Sequence, residues 1–345
     1  MWIADVMFNP LLTTAKYVAA GGGIFLIKSI AVFFLYITLR YVFIKRKVSP
    51  HAFQSGSAYE KVLRSSLLII GILMLTLATI GILVDLMDNS PAPRDVIQNS
   101  QTLMQIDHDM FGVYPTIWFH RADNPLKPYL DLASPFIVGS YAQLGMLISL
   151  LFFAALAFDQ KLLFRILVAF MLSVFASLPL WIAYPAVTPN EAFFANRIHA
   201  DIPLSVTREM ESFAPNPLMV NTIKNIADMS ETGENGYYSI STIPSMHITW
   251  SLLVLYYGFL LYRRSALYLV PYFFVNAFST VYLLQHYVLD IFIGIIVGAF
   301  IIVLVERAHI KTPAMLLDVG QALRSDLTYC YSWTLRKLTC ARIRL

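Results

Sequence analysis

The chain has 345 residues, of which 58% are apolar and only 13% charged, whereas a soluble globular domain carries about a quarter charged residues. That composition excludes an ordinary water-soluble fold and makes lipid the solvent for most of the chain. The net charge of +4 does not signal nucleic-acid binding, because the Lys and Arg residues stand at the ends of apolar runs and not on one polar module.

Seven apolar runs, over 20–44, 65–87, 134–158, 162–184, 245–262, 265–285 and 289–305, each have the length of a spanning helix with modest tilt. The first is followed by Lys45-Arg46-Lys47 and lacks a small-residue cleavage site, so it reads as a span and not as a removable leader. Positive charge collects in alternate gaps: Lys45, Arg46, Lys47, Lys61 and Arg64 after the first run, Lys161 after the third with Arg165 just inside the next run, Arg263 and Arg264 after the fifth. The tail adds Arg307, Lys311, Arg324, Arg336, Lys337, Arg342 and Arg344. Positive loops are retained in the cytoplasm. Gaps 88–133 and 185–244 hold three Lys or Arg each and are rich in Asp and Glu, which puts them outside. The expected fold is an all-α polytopic bundle of about seven transmembrane helices, N-terminus out and C-terminus in.

Both outer gaps are too long to be plain connectors. Within the first, segment 103–120 carries Leu103, Ile106, Met110, Phe111, Tyr114, Ile117 and Trp118 among polar neighbours, the pattern of an amphipathic helix in the interface, with Pro115 as a break. Segment 313–345 has a similar leucine stripe flanked by basic residues, and reads equally as an interfacial or a solvated cytoplasmic helix. Cys330 and Cys340 lie in it with no zinc or disulfide spacing, and read as two free thiols on the reducing side, with palmitoylation as the alternative.

Ionisable groups at the rim of a hydrocarbon slab are expensive, so their placement is informative. His286 and Asp290 are four residues apart, which on a helix stacks them on one face. An Asp that accepts the proton of one imidazole nitrogen fixes the tautomer and leaves the other nitrogen with its lone pair outward, as in an oriented base or nucleophile. A purely structural pair at a helix start has the same spacing. Pro244-Ser245 ahead of the fifth run supplies a helix start, with Ser245 as cap and the N–H groups of Met246 and His247 pointing outward. Such an end binds anions, and a histidine there can protonate the leaving oxygen of a phosphate ester. An ordinary cap is the alternative.

Together these residues resemble a family. Pro244-Ser245-Met246-His247 resembles the P-S-G-H element, and Ser279-Thr280 with His286 and Asp290 resembles the S-R-x5-H-x3-D element, of the phosphatidic acid phosphatase type 2 superfamily. The likeness covers 115–305 and is nearest to the branch of inositol phosphorylceramide synthase-like proteins, where an aromatic-Pro stretch like Tyr184-Pro185-Ala186-Val187-Thr188-Pro189 precedes the large outer loop. The resemblance implies that His286 is the nucleophile, Asp290 orients it and His247 protonates the departing alkoxide. Ser245, the Met246 N–H and Thr280 would hold phosphate oxygens, and no metal or other cofactor is needed. Two positions depart from the pattern: Met246 replaces Gly, and Thr280 replaces an Arg that would clamp phosphate with two hydrogen bonds. The family's K-x6-R-P element has no match. Positive charge at the phosphate is therefore expected from Arg197 or Arg208, with Lys224 behind them.

The implied organisation is an N-terminal transmembrane hairpin with an outer interfacial segment (1–114), a phosphatase-like catalytic core (115–305) and a basic cytoplasmic tail (306–345), with a six-helix phosphatase-like unit following one extra span. The implied activity is metal-independent hydrolysis of a phosphorylated lipid through a phosphohistidine, with the bilayer and a lipid phosphate as partners and no nucleic acid. The alternative is transfer of a phospho-head-group onto a lipid alcohol. A second alternative, a lipid transporter without chemistry, would place its polar groups near mid-membrane on broken helices, whereas here they lie at the rim.

Overall fold

The computed structural model describes residues 93–193, 204–230, 243–308, 310–312 and 317. The two first apolar runs, Arg197, and the tail with Cys330 and Cys340 lie outside the described residues.

Helix α1 spans Pro93–Phe111 and buries a stripe of Ser100, Leu103, Met104 and Asp107, the i, i+3, i+4, i+7 spacing of one helical face. The sequence places the break of this segment at Pro115. The chain in fact turns at Gly112, whose φ of +72° suits a residue without a Cβ, and Pro115 opens a new one-turn helix, α2 (Pro115–Trp118). Helices α3 (Lys127–Phe158) and α4 (Gln160–Ala183) follow. Asp159 makes their junction tight, because its N–H closes α3 on the Ala155 carbonyl and its side chain caps α4 at the Leu162 N–H.

The second outer gap holds three short helices, α5 (Pro189–Phe193), α6 (Leu204–Met210) and α7 (Pro217–Ser230). It is tied to the first gap by an isolated bridge between Arg121 and Phe213, flanked by bonds from Ala122 N–H to the Ser212 carbonyl and from Ala214 N–H to the His120 carbonyl. Three apolar helices complete the described fold: α8 (Met246–Leu261), α9 (Ala266–Tyr282), reached through a 3-10 turn at Arg263–Ser265, and α10 (Val288–Arg307). Among the described residues there is no strand beyond that bridge, and the last five expected runs coincide with α3, α4, α8, α9 and α10.

Helix α8 is central and packs on α3, α4, α9 and α10. Leu253 and Tyr257 on α8 are fully buried with Ala155, Ile166 and Ala169 of the neighbouring helices. The contact with α10 is close: a Cβ on Gly294 would stand 2.7 Å from the Ser245 carbonyl oxygen and 3.1 Å from Ile248 Cβ. Small residues let helix backbones approach where lipid leaves little hydrophobic drive between helices. Several polar groups inside the bundle are paired, as a non-aqueous solvent favours. Ser251 donates to Asn276 Oδ1 (2.6 Å), and Asn276 Nδ2 and the Tyr272 hydroxyl both donate to the Ser140 carbonyl, each at 3.0 Å.

The outer surface is apolar. In α10 the most apolar window has mean hydropathy 3.0, yet only 33% of it is buried within the protein, and Phe292, Ile296 and Phe300 are exposed. Patches of that extent need lipid against them. Among the described residues three helices, α3 (over Lys127–Leu156), α4 and α10, are long and apolar enough to cross a membrane, and α8 is a shorter apolar helix. The chain is a helical membrane protein.

Candidate active site

Two chain turns meet at one end of the bundle. The first, ahead of α8, is held by its own sequence: Ser245 has extended backbone (φ −67°, ψ 111°) and its Oγ accepts the Ile248 N–H, as a serine N-cap does. Its backbone N–H donates to the Asp290 carbonyl at 3.2 Å. Thr249 Oγ1 lies at 3.1 Å from the Ser245 carbonyl and 3.0 Å from the Gly294 carbonyl. These bonds join the start of α8 to the start of α10, so the two sequence elements, about 40 residues apart, form one locus.

The second turn carries His286. The spacing of His286 and Asp290 suggests one face of a helix, and this is corrected by the structure: α10 begins only at Val288, Tyr287 is its extended N-cap (φ −73°, ψ 159°), and His286 precedes it. The pair nevertheless forms, with Nδ1 at 3.2 Å from Asp290 Oδ2. The same Oδ2 accepts the Tyr287 N–H at 3.0 Å. Asp290 thus reaches back over the helix start as the acid of a capping box does, and that reach, rather than helical stacking, holds the imidazole. Asp290 is fully buried and His286 is 8% exposed, so what access the pair has is through the ring. With Nδ1 on the carboxylate, Nε2 takes no partner among the described residues.

The turn before His286 is clamped from several sides. The sixth apolar run is expected to stay helical to 285, but α9 ends at Tyr282, because Leu284 takes φ +56°, a conformation that costs a side-chain-bearing residue energy and that the surroundings must enforce. The Leu284 carbonyl accepts the Asn190 N–H at 2.8 Å, and the Thr280 carbonyl accepts the N–H groups of both Gln285 (2.9 Å) and His286 (3.2 Å). His120 Nε2 donates to the Tyr282 carbonyl at 2.8 Å. Burial lowers His120 to a pKa of about 4, so its ring is neutral near pH 7 and the carbonyl partner fixes the proton on Nε2. Asp107 of α1 closes the set by accepting the N–H groups of Val288 (2.8 Å) and Leu289 (3.3 Å). Burial raises its pKa to about 6 against the pull of these two donors.

The other expected site residues fall as follows. His247, in the first turn of α8, stacks flat on Tyr141 with ring centroids 4.1 Å apart and 10° between planes, and is within electrostatic reach of His286. Ser245 is fully buried and its hydroxyl oxygen serves the cap. The Met246 side chain lies against α4, where Sδ accepts the Ser177 hydroxyl at 3.1 Å and the chain packs on Leu178 and Trp181. The backbone N–H groups of Met246 and His247 take no partner among the described residues. Thr280 is buried and its hydroxyl donates to the Ala277 carbonyl at 2.8 Å. In this geometry its one O–H is engaged, and what it offers the site is the carbonyl that holds His286. Arg208 is exposed on α6, a helix docked through Ser205 to the Tyr114 hydroxyl (2.8 Å) and through Glu209 to Arg121 (3.7 Å). Lys224 is exposed on α7.

Asp107, His120, Asn190 and Tyr141 are not among the sequence candidates. Asp107 had a legible signal, since it is an acid on the otherwise buried i, i+3, i+4, i+7 stripe of α1. His120 and Asn190 act through long-range contacts with backbone groups, and Tyr141 through its ring against His247; spacing encodes neither. Among the described residues no three His, Cys, Asp or Glu side chains converge as a metal site.

A helical membrane bundle with a His–Asp pair beside an open helix N-terminus is the class of protein that fold and site define. Residues 103–304 match the PAP2 superfamily, and the chain belongs to that superfamily, whose members are generally phosphatases or phosphotransferases. The match begins at 103, ahead of the 115 suggested by the motifs, and so takes in Asp107 and the end of α1. No curated protein and no solved structure matches the chain.

Proposed function

We propose that the chain is a multi-pass lipid phosphatase that takes the phosphoryl group of a phosphorylated lipid onto His286, with Asp290 orienting the ring and His247 giving a proton to the departing alkoxide. The observation that carries this reading is the contrast between two helix N-termini at one locus. The start of α10 is filled by the protein's own carboxylates, Asp107 and Asp290. The start of α8 offers the N–H groups of Met246 and His247, which take no partner among the described residues, and helix starts attract phosphate. A phosphate seated there lies beside His247, whose protonated form its negative charge favours.

In the first step Nε2 of His286 attacks phosphorus, the P–O bond to the lipid breaks, and the alkoxide leaves as the alcohol with a proton from His247. Water then attacks the phosphohistidine, the P–N bond breaks, and inorganic phosphate is released. If the substrate is a phosphodiester lipid, the same attack leaves the phospho-head-group on His286, and a lipid alcohol in place of that water then breaks the P–N bond and makes the site a head-group transferase. The Tyr184-Pro185 stretch and the missing Arg at Thr280 favour that inositol phosphorylceramide synthase-like variant as the second reading. The purified protein in detergent with EDTA is expected to release inorganic phosphate from a lipid phosphate. Transfer to an added lipid alcohol without net phosphate release would support the second reading, and turnover of neither kind would remove both.

The active site is proposed to face outward, in a catalytic core at 115–305 preceded by a hairpin and followed by a cytoplasmic tail, giving about seven spans in all. The distribution of Lys and Arg supports this orientation. A cysteine introduced at exposed Lys224 is expected to react with an impermeant thiol reagent added to intact cells, and Cys330 and Cys340 are expected not to react. The opposite labelling pattern would turn the site to the cytoplasm.

A further inference from the structure

We propose that Asp107 is a positioning residue for the phosphoryl-transfer step, fastening the start of α10 so that His286 and Asp290 keep their register. The proposal rests on the reading of His286 as the nucleophile. A helix leaves its first N–H groups without intrahelical partners. In α10 the Tyr287 N–H is taken by Asp290 and the Asp290 N–H returns to the Tyr287 carbonyl. The two N–H groups between them, on Val288 and Leu289, go to the two carboxylate oxygens of Asp107, from a helix some 180 residues earlier in the chain. Asp107 is 2% exposed and lies on the buried stripe of α1 beside Leu103 and Met104, which pack in one cluster with Tyr287.

Two consequences follow from this geometry. The backbone between the nucleophile and its orienting acid cannot rotate without breaking charge-assisted hydrogen bonds, each of which is stronger than a neutral one. The α10 N-terminus is also closed to the substrate phosphate, which leaves the α8 end as its seat and sets the phosphorus on the His247 side of His286. A carboxylate is suited to both tasks because it accepts two bonds in a fork and repels an anion. An uncharged side chain could do the first in part and the second not at all.

Asp107→Ala is expected to lower kcat on a lipid phosphate about 10- to 100-fold, the change that one lost hydrogen bond to a charged group accounts for, with KM little altered, because the nucleophile and not the substrate pocket has shifted. Sodium formate, a free carboxylate small enough for the vacated space, is expected to restore part of the lost kcat, whereas sodium chloride at equal ionic strength is not. Hydrogen exchange at the Val288 and Leu289 amides is expected to speed up in the variant and to slow again with formate. A packing residue whose loss merely loosened the fold would raise exchange broadly and gain nothing from formate. Unchanged kcat in Asp107→Ala, or lost kcat with these two amides still protected, overturns the proposal. If Asp107→Ala does not fold, Asp107→Asn keeps the shape and one acceptor but sets an NH2 against the second donor; it is expected to lose kcat, and full kcat there overturns the proposal. A wild-type protein without phosphoryl activity would remove the functional reading, while amide exchange in Asp107→Ala would still decide whether the clamp exists.

Discussion

His286→Ala is expected to lose turnover on lipid and aryl phosphates alike, whereas His247→Ala loses it on the lipid and retains much of it on the aryl phosphate. The two residues act on different bonds. Without the His286 ring no atom receives phosphorus, and the quality of the leaving group is irrelevant. Without His247 the lipid must leave as an unprotonated alkoxide, and a positioned acid typically contributes about 100- to 10,000-fold in such a step. A phenolate with electron-withdrawing groups leaves unaided. The structure makes the comparison clean: Asp290 keeps its bond from the Tyr287 N–H in the His286 variant, and the α8 cap at Ser245 does not involve the His247 ring, so both folds are expected to persist. Trapping labelled phosphoprotein separates the roles further, since the His247 variant still forms it from the aryl ester. Equal losses on both substrates in both variants would show that the assignment of roles is wrong.

Replacing the cation that faces the phosphate is expected to lower turnover about 100-fold or more, comparable to deleting one transition-state donor. A phosphoryl group in transfer spreads negative charge over its equatorial oxygens, and this chain has Thr280 where its superfamily pattern places Arg. Thr280 donates its hydroxyl to Ala277, and two N–H groups at the α8 end carry only partial charge. Arg208 is exposed and joins no ion pair among the described residues, on a helix docked over Tyr114 and Arg121, and Arg197 lies outside the described residues. We expect one of the two to close over the phosphate when substrate binds. The arginine that does so is identified by an Ala variant that loses both turnover and inhibition by vanadate, which resembles five-coordinate phosphorus. Near-normal turnover and vanadate sensitivity in both variants would assign the charge to another residue.

What the sequence by itself determined is whatever depends on local spacing and on solvent. Apolar runs of spanning length require lipid, and five of the seven coincide with helices because every backbone polar group in lipid must be satisfied within its own segment. The Ser245 cap is equally local, since Pro-Ser ahead of an apolar run has few other ways to start a helix. His286 and Asp290 were legible as a pair, but not how they pair. Their spacing fits a helical face, and only the structure shows the histidine outside the helix with the aspartate folding back to it. Tertiary structure alone decided what surrounds that pair. Leu284 holds a left-handed backbone, Thr280 lends a carbonyl and not a hydroxyl, and Asp107, His120 and Asn190 arrive from distant segments to bind backbone groups. Side-chain pattern reports which face of an element is buried; it is silent on which backbone N–H or carbonyl a buried polar group will meet, because every residue offers the same two groups and the chain's path alone selects among them.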